Sequence, residues 1–163
     1  MNIDLHNSPL TYNNCMKPVI LEGSWIVNAP LRRIYEIVTD FENAPTYFPL
    51  VAKSLKIMNR KGNNLSIDAT SKTFGIPFHV LMNTELLPGK GFTSINSSLL
   101  AVEKENFMLE EVPTGTKIDY RNEVQIKNNI LQIFAKLLIG KPALLFWKFA
   151  YIDRLQKLAT DTK

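Results

Sequence analysis

Residues 27–57 read VNAPLRRIYEIVTDFENAPTYFPLVAKSLKI and contain the helix signals that decide the order of elements in the chain. Asn28 is a good N-cap residue and Pro30 suits the first turn of a helix, and apolar side chains follow at helical spacing. Asp40 predicts the start of a second short helix. Pro49 ends that helix because proline cannot donate the next helical hydrogen bond. The stretch therefore predicts two short helices.

The chain on either side of these helices has strand signals. Val19 to Val27 is rich in residues typical of strands. After the helices come six further segments of strand length, and turns that contain Gly, Pro or Asn lie at four of the five boundaries between them. These segments lie near residues 51–59, 64–74, 76–87, 92–100, 103–112 and 116–127. The close spacing of the turns favours antiparallel hairpins over crossover connections.

A long helix is predicted over residues 129–159, with a kink or short break at residues 140–142, where the sequence reads Gly-Lys-Pro. Its polar residues form a narrow stripe, so the helix has more apolar surface than one contact usually needs. Seven strands and one long helix form a single core most economically when a curved sheet wraps around the helix. The sequence predicts an α+β domain over residues 18–160, with residues 1–17 as an N-terminal tail.

The order of elements and the motif in residues 27–57 resemble the START-like superfamily, also called the polyketide cyclase/dehydrase and lipid-transport (SRPBCC) group. The motif looks nearest to coenzyme-Q-binding members. The matching positions are Ala29, Pro30, Tyr35, Asp40, Pro45 and Pro49. The resemblance covers about residues 18–160. It implies a helix-grip fold, in which a seven-stranded curved antiparallel sheet wraps around a long C-terminal helix and two short helices follow the first strand.

The resemblance also implies a cavity between the sheet and the C-terminal helix that holds a lipid, isoprenoid, quinone or polyketide-like molecule. Strand alternation and helix position select the side chains that would line this cavity. They are Phe78, Val80, Met82, Tyr120, Asn122, Val124, Phe134, Leu138, Trp147 and Tyr151. Ordinary core packing is the better explanation for any single aliphatic member of this set. Asn122 interrupts an apolar face, and either a ligand or a structural hydrogen bond would satisfy its amide.

The sequence contains no catalytic or metal-binding motif. Cys15 is the only cysteine, and the two histidines, His6 and His79, lie far apart, so we expect no disulfide, metal site or cofactor. His79 is predicted to face outward, opposite Phe78. The carboxylates noted on strands are expected to face solvent: Asp68, Glu85, Glu110 and Asp119. An enzyme would need a titratable group in the cavity with a shifted pKa, and the sequence offers no strong candidate, which favours a non-enzymatic protein.

The formal net charge of +4 comes from scattered basic residues. They do not alternate with aromatic residues, which argues against nucleic-acid binding. The N-terminus lacks a basic start followed by an apolar run, and together with the single cysteine this predicts a reduced, cytoplasmic setting. The extra apolar surface of the long helix, with Lys136, Lys141 and Lys148 alongside, leaves three coverings open: a membrane surface, a second copy of the chain or the N-terminal tail.

The leading hypothesis is therefore a binder or carrier of a small hydrophobic molecule. Two alternatives remain at this point. The first is an enzyme of the cyclase/dehydrase type that acts on an apolar substrate. The second is a protein-interaction module whose cavity is filled by its own side chains. A void of a few hundred Å³ between helix and sheet would argue against the interaction module, and an inward-facing acid in that void would favour the enzyme.

Overall fold

The computed structural model describes residues 17–128 and 140–161. Strand β1 (Val19–Val27) is followed by helix α1 (Leu31–Val38), a 3-10 turn (Phe41–Asn43) and helix α2 (Ala44–Tyr47). Six strands come next: β2 (Ala52–Lys61), β3 (Asn64–Thr73), β4 (Ile76–Leu87), β5 (Gly91–Ser98), β6 (Ala101–Val112) and β7 (Gly115–Ile126). The C-terminal helix consists of α3 (Lys141–Trp147), a π-helical turn (Lys148–Ile152) and α4 (Asp153–Thr160).

The seven strands form one antiparallel sheet in the order β1-β7-β6-β5-β4-β3-β2. Strands β2 to β7 are joined in sequence as hairpins, and β1 closes the order by pairing with β7 from Val19 opposite Val124 to Val27 opposite Thr116. Register shifts in β2 mark β-bulges, which add to the twist of the sheet. The predicted helix-grip architecture is confirmed, with the curved sheet wrapped around the C-terminal helix.

The alternation predicted for the strands is also confirmed. Along β7 every second side chain is buried, from Thr116 to Ile126. On β4, Val80 and its neighbours of the same parity face the helix. His79 faces outward as predicted, and its Nε2 lies 2.7 Å from Asp68 Oδ1 in an exposed pair. One face of the sheet is therefore the core and cavity face.

The predicted N-cap at Asn28 is wrong. Pro30 has an extended conformation and occupies the N-cap position, so α1 begins at Leu31, two residues later than an Asn28 cap would place it, and no side chain caps it. The backbone N–H of Asn28 instead donates to Gln156 Oε1 at 2.9 Å, which ties the β1–α1 connection to α4. Asp40 does precede the 3-10 turn, but its carboxylate accepts a hydrogen bond from the Tyr47 hydroxyl at 3.0 Å and does not cap the backbone.

At residues 140–142, where the sequence predicts a break, the described part of the C-terminal helix begins. Gly140 has a φ of −170° and a ψ of −137°, which no helix continues through, and the described helix begins at Lys141 with Pro142 in its first turn. The sequence did not predict the π-helical turn that follows. Within it, Lys148 Nζ donates to Asp153 Oδ1 at 2.6 Å, a spacing of five residues that suits the wider π repeat. The predicted helical segment before Gly140 lies outside the described residues.

The C-terminal helix uses only part of its apolar surface on the core. Ile152 and Leu155 are fully covered, whereas Leu145 and Phe149 are 68% and 64% exposed. The surplus of apolar surface predicted from the sequence is thus present among the described residues. Within the same part of the chain, no helix has the length and hydropathy needed to cross a bilayer.

Candidate ligand-binding cavity

A cavity of about 270 Å³ lies between the sheet and the C-terminal helix. Pockets for drug-sized ligands usually measure about 300–1,000 Å³, so this one suits a molecule of one or two rings. Eight of the side chains predicted from the sequence line it: Phe78, Val80, Met82, Tyr120, Asn122, Val124, Trp147 and Tyr151. Phe134 and Leu138 lie outside the described residues. That any of these side chains contacts a ligand stays a prediction.

Stacked aromatic rings form one wall of the cavity. Four rings follow one another in the order Tyr120, Trp147, Tyr151 and Phe48. Their successive centroid distances are 4.0, 4.8 and 3.9 Å, and their interplanar angles are 20°, 10° and 16°. Trp147 and Tyr151 are four residues apart on the C-terminal helix, so they project from the same face. Phe107 of β6 packs against both, at 6.1 and 5.8 Å between centroids. The stack therefore joins sheet, C-terminal helix and helix pair.

Gly23 of β1 makes room for this wall. A Cβ atom on Gly23 would lie 2.3 Å from the nearest carbon of the Trp25 indole, which folds back over the strand. The Trp25 ring in turn contacts Trp147, with 5.5 Å between centroids. The glycine is therefore needed for close packing of an aromatic side chain.

The hairpin between β3 and β4 closes against the C-terminal helix beside the cavity. Its two turn residues, Phe74 and Gly75, have φ angles of 49° and 81°, as a tight two-residue turn requires. The Phe74 ring packs against Phe146, which lines the cavity, at 4.9 Å between centroids. Nearby, Lys72 Nζ donates to the Pro49 carbonyl at 3.0 Å.

The inward face of strands β5, β6 and β7 changes from aromatic to polar along the strands. The strand register places Phe92, Phe107 and Tyr120 in one row. The next row contains Ser94, Glu105 and Asn122, and the row after it contains Asn96, Glu103 and Val124. Two carboxylic acids, each with an amide on a neighbouring strand, thus lie directly beside the aromatic wall. We call Glu103, Glu105, Asn96 and Asn122 the polar cluster.

Hydrogen bonds within the polar cluster run diagonally across the strands. Asn122 Nδ2 donates to Glu103 Oε2 at 2.9 Å, and Asn96 Nδ2 donates to Glu105 Oε2 at 3.0 Å. The Ser94 hydroxyl donates to Asn96 Oδ1 at 2.6 Å and so holds that amide in place. Asn122 Oδ1 is buried and accepts no hydrogen bond from any described residue. A buried acceptor without a partner costs about 1–3 kcal/mol. The oxygen is covered by protein, so it is not exposed to the cavity.

Burial dominates the acid–base properties of the polar cluster. It raises the pKa of Glu105 from 4.5 to about 7; the hydrogen bond from Asn96 opposes this rise and the charge of Glu103 adds to it. Burial likewise raises the pKa of Glu103, against the hydrogen bond from Asn122. Both side chains are half-buried by accessible surface because that surface is cavity wall, while protein surrounds the carboxyl groups and keeps them from bulk water. Glu105 therefore titrates near neutral pH.

The expectation that the cavity holds no candidate acid is wrong. The candidate carboxylates considered from the sequence were all on outward or strand-end positions, and Glu103 and Glu105 were not among them. The sequence did contain a signal for them. Phe107 and Leu109 are core residues, and alternate residues of a strand share a face, so Glu105 and Glu103 lie on the core face of β6 as well. Two charged residues on a core face are rare enough that composition argued against this assignment.

No family model and no curated protein matches the chain. Solved structures share its fold. A START superfamily protein from Mycobacterium smegmatis superposes with a TM-score of 0.72 and 17% identity, over 85% of this chain and 98% of that one. The aromatase/cyclase Zhui from a Streptomyces species gives a TM-score of 0.72 and 10% identity, over 86% and 92% of the two chains.

The di-domain ARO/CYC protein BexL gives a TM-score of 0.74 and 15% identity over 88% of this chain, which spans about half (50%) of that protein. At these identities the likeness concerns the fold. The chain has the START-like helix-grip fold, as the resemblance in its sequence predicted. A particular nearness to coenzyme-Q-binding members stays a prediction.

Proposed function

We propose that this protein binds a small, mainly apolar molecule of one or two rings that carries a hydrogen-bond donor, in the cavity between sheet and C-terminal helix. The observation that carries the proposal is the polar cluster, which lines the cavity beside the aromatic wall. The apolar body supplies affinity by burial, at roughly 25 cal/mol per Å² before ordering costs. The donor on the ligand fixes its orientation, because the polar cluster offers carboxyl acceptors beside the rings.

The size of the cavity supports a compact ligand over a long-chain lipid. A volume of about 270 Å³ accommodates a quinone- or polyketide-like ring system more readily than an extended acyl chain. The open volume also argues against an interaction module with a filled cavity. Proteins of the same fold include aromatase/cyclases, and a role in handling cyclic molecules agrees with that likeness.

A calorimetric titration with two matched probes tests this function. We expect 2-naphthol, which carries one donor, to bind saturably and naphthalene to bind about tenfold more weakly, because a hydrogen bond to a charged carboxylate is worth about 1.5–3 kcal/mol. Native mass spectrometry of freshly purified protein would show whether a cyclic molecule co-purifies. If neither probe binds saturably and nothing co-purifies, the proposal is wrong.

A second candidate function is acid–base catalysis by Glu105, and its pKa near 7 favours it. General acids and bases work best when their pKa lies near the working pH. In such a reaction the Glu105 carboxylate would take a proton from the carbon next to a ligand carbonyl and return it from the carboxylic acid, with an enolate between the two steps. The probe reaction is hydrogen–deuterium exchange into 2-tetralone, followed by NMR.

We expect the native protein to accelerate this exchange over buffer. Glu105→Gln should abolish the acceleration, whereas Glu111→Gln, the same change at an exposed position of β6, should leave it intact. Exchange at the buffer rate with native protein would exclude this function and leave the binding proposal standing.

Contact of the C-terminal helix with a membrane surface, through Leu145 and Phe149, remains a prediction. Their exposure supports it, and Lys141 and Lys148 flank them in sequence. Sedimentation with vesicles that contain anionic lipid is the test. Binding that is lost in the Leu145→Ser, Phe149→Ser double variant supports membrane contact, and absence of binding removes the idea.

A further inference from the structure

A chain of hydrogen-bonded polar side chains crosses the core face of strands β4, β5 and β6 and ends at Glu105. The hydroxyl oxygens of Thr84 on β4 and Ser94 on β5 lie 2.8 Å apart. The Ser94 hydroxyl donates to Asn96 Oδ1 at 2.6 Å, and Asn96 Nδ2 donates to Glu105 Oε2 at 3.0 Å. Thr84, Ser94 and Asn96 are 2%, 3% and 7% exposed, so the protein shields these bonds from water.

The direction of the hydrogen bonds in this chain follows from the number of protons available. Ser94 has one hydroxyl proton, and Asn96 Oδ1 is a closer acceptor for it than the Asn83 carbonyl, which lies at 3.3 Å. Thr84 must therefore donate to Ser94. Because its oxygen is held by Ser94, the Asn96 amide turns its N–H group towards Glu105. Glu105 Oε2 is thus an acceptor, and in the neutral acid the proton lies on Oε1.

The second acid of the polar cluster has no such support among the described residues. Asn122 Nδ2 donates to Glu103 Oε2 at 2.9 Å. Asn122 Oδ1, however, accepts no hydrogen bond from any described residue, so no equivalent of Ser94 fixes the direction in which this amide points. The two pairs of acid and amide differ in this respect, although both acids lie on the same face of β6.

We propose that Thr84, Ser94 and Asn96 are positioning residues, and that the orientation they impose makes Glu105, more than Glu103, the carboxyl group that pairs with the donor of a bound ligand. A carboxyl group that is already held in one orientation loses less conformational freedom on binding, so its hydrogen bond contributes more to affinity. This inference rests on the proposed binding function and assigns its orienting hydrogen bond to one acid.

The position of Glu105 along β6 also favours it. Glu105 lies in the row next to that of Phe107 and Tyr120, and Glu103 lies one row further from the aromatic wall. Successive side chains on one face of a strand are about 6.6 Å apart, so a ligand of one or two rings on this wall reaches Glu105 first. The Tyr120 hydroxyl also forms a hydrogen bond with Glu105, but a carboxylate can accept about four, which leaves capacity for a ligand.

The chain of hydrogen bonds also affects the protonation of Glu105. Burial raises the pKa of Glu105 to about 7, and the hydrogen bond from Asn96 opposes this rise because it stabilises the carboxylate. Without Ser94, the Asn96 amide is free to turn its oxygen towards Glu105, which favours the neutral acid and raises this pKa further. The other titratable groups that face Glu105 are Glu103 on its own strand, Tyr120 on β7 and Tyr151 on the C-terminal helix. Burial keeps both tyrosines neutral because it raises their pKa above 10.

The first test measures the pKa of Glu105 in the ligand-free protein, by NMR of its side-chain carboxyl carbon. We expect Ser94→Ala to raise this pKa by at least about 0.5, because the amide loses its fixed direction. Thr84→Val, which removes a hydroxyl at nearly constant volume, should raise it by less, and Thr84→Ser, which keeps the hydroxyl, should not change it. Ser97→Ala, the same change on the outer face of β5, is the control.

The second test repeats the titrations with 2-naphthol and naphthalene at about pH 8, where Glu105 is ionised. We expect Ser94→Ala to reduce the preference for 2-naphthol at least about threefold, because hydrogen bonds to charged groups depend on a well-placed acceptor. Naphthalene has no donor, so its affinity should not change. Glu105→Gln should reduce the preference more than Glu103→Gln does. Thermal unfolding checks that each variant is folded.

Three results would overturn the inference. The first is an unchanged pKa of Glu105 in Ser94→Ala, and the second is an equal change in Ser94→Ala and Ser97→Ala. The third is a preference for 2-naphthol that falls more in Glu103→Gln than in Glu105→Gln. If neither probe binds to the native protein, the proposed function and the pairing with a ligand both fail, whereas a raised pKa in Ser94→Ala would still establish that the chain positions Glu105.

Discussion

Burial of two carboxylic acids on one strand face costs the protein stability. The two amides of the polar cluster limit that cost. Asn96 and Asn122 each donate to one acid, so neither carboxyl group lacks a partner. What remains unsatisfied is Asn122 Oδ1 and the charge itself. A protein without a use for these groups would gain by replacing them with apolar side chains of similar volume. The polar cluster is therefore better explained by a ligand than by folding.

The pKa of Glu105 predicts a pH dependence of stability. Its pKa is 4.5 when exposed and about 7 in the folded protein, so the folded state binds more protons between these values. The free energy of unfolding therefore falls as the pH rises from about 4.5 to 7 and levels off above 7. At 1.36 kcal/mol per pKa unit this loss is at most about 3 kcal/mol, and water in the cavity reduces it.

We expect Glu105→Gln to remove much of this fall. The free energy of unfolding of the variant, relative to that of the native protein, should therefore rise by about 1–3 kcal/mol between about pH 5 and pH 8. Urea denaturation at the two pH values measures it. Glu111→Gln, at an exposed position, is the control and should follow the native protein. If the free energy of unfolding changes with pH by the same amount in Glu105→Gln and in the native protein, the acid is not shielded from water.

Residue-scale prediction from the sequence succeeded where a strand had clear alternation. Tyr120 and Asn122 were identified because β7 alternates along its whole length. Glu103 and Glu105 were missed because charge usually marks the solvent face, although the parity of Phe107 indicated otherwise. The partner of a buried polar atom cannot be read from periodicity at all, since it depends on side-chain conformations across three strands.

At the scale of elements, the C-terminal helix is held to the sheet mainly by its aromatic side chains. Trp147 lies between Tyr120 and Tyr151 in the ring stack and also contacts Trp25. Aromatic pairs of this kind contribute about 0.5–1.5 kcal/mol each beyond the burial of their area. The stack thus both fixes the helix and forms the cavity wall.

We expect Trp147→Ala to lower the free energy of unfolding by about 3–5 kcal/mol, as large aromatic truncations in a core do. Leu145→Ala on the same helix is the matched control, and because Leu145 is 68% exposed it should change stability little. Chemical denaturation followed by circular dichroism gives both values. Similar losses in the two variants would contradict the packing described for the helix.

Gly23 predicts an unusual response to alanine. Replacement of a strand glycine by alanine normally stabilises a protein, but here the new Cβ would meet the Trp25 indole at 2.3 Å. We expect Gly23→Ala to cost about 1–3 kcal/mol, the usual range for overpacking. In a Trp25→Leu background the cost should largely disappear, and a double-mutant cycle measures the difference. A neutral or stabilising Gly23→Ala in the native background would show that the indole moves freely.

Element-scale prediction from the sequence was strongest for the strands and weakest for helix ends. All seven strands were identified to within about three residues, because glycine or proline marks most of the turns; the β5–β6 turn, Leu99-Leu100, has neither. The Asn28 cap failed since Pro30 sets its own extended backbone and moves the start of α1 beyond the reach of Asn28. The π-helical turn has no sequence signature of its own.

At the scale of the whole molecule, the sheet encloses more space than the C-terminal helix fills. The fold class followed from the order of elements and from the motif in residues 27–57, because seven antiparallel strands and one apolar helix have few ways to share a core. The volume of the remaining space could not be predicted from the sequence, because a void depends on how individual side chains interlock. Function at this scale depends on whether that space admits a ligand.

The most direct test of this account is to fill the cavity and leave the opposite face of the same strand as a control. Val80 lines the cavity and Leu81 beside it is 52% exposed on the outer face. Calorimetric titration with 2-naphthol should give saturable binding to the native protein and to Leu81→Phe, and at least about tenfold weaker binding to Val80→Phe. Binding that survives unchanged in Val80→Phe, or that falls equally in both variants, would contradict the assignment of this cavity as the ligand site.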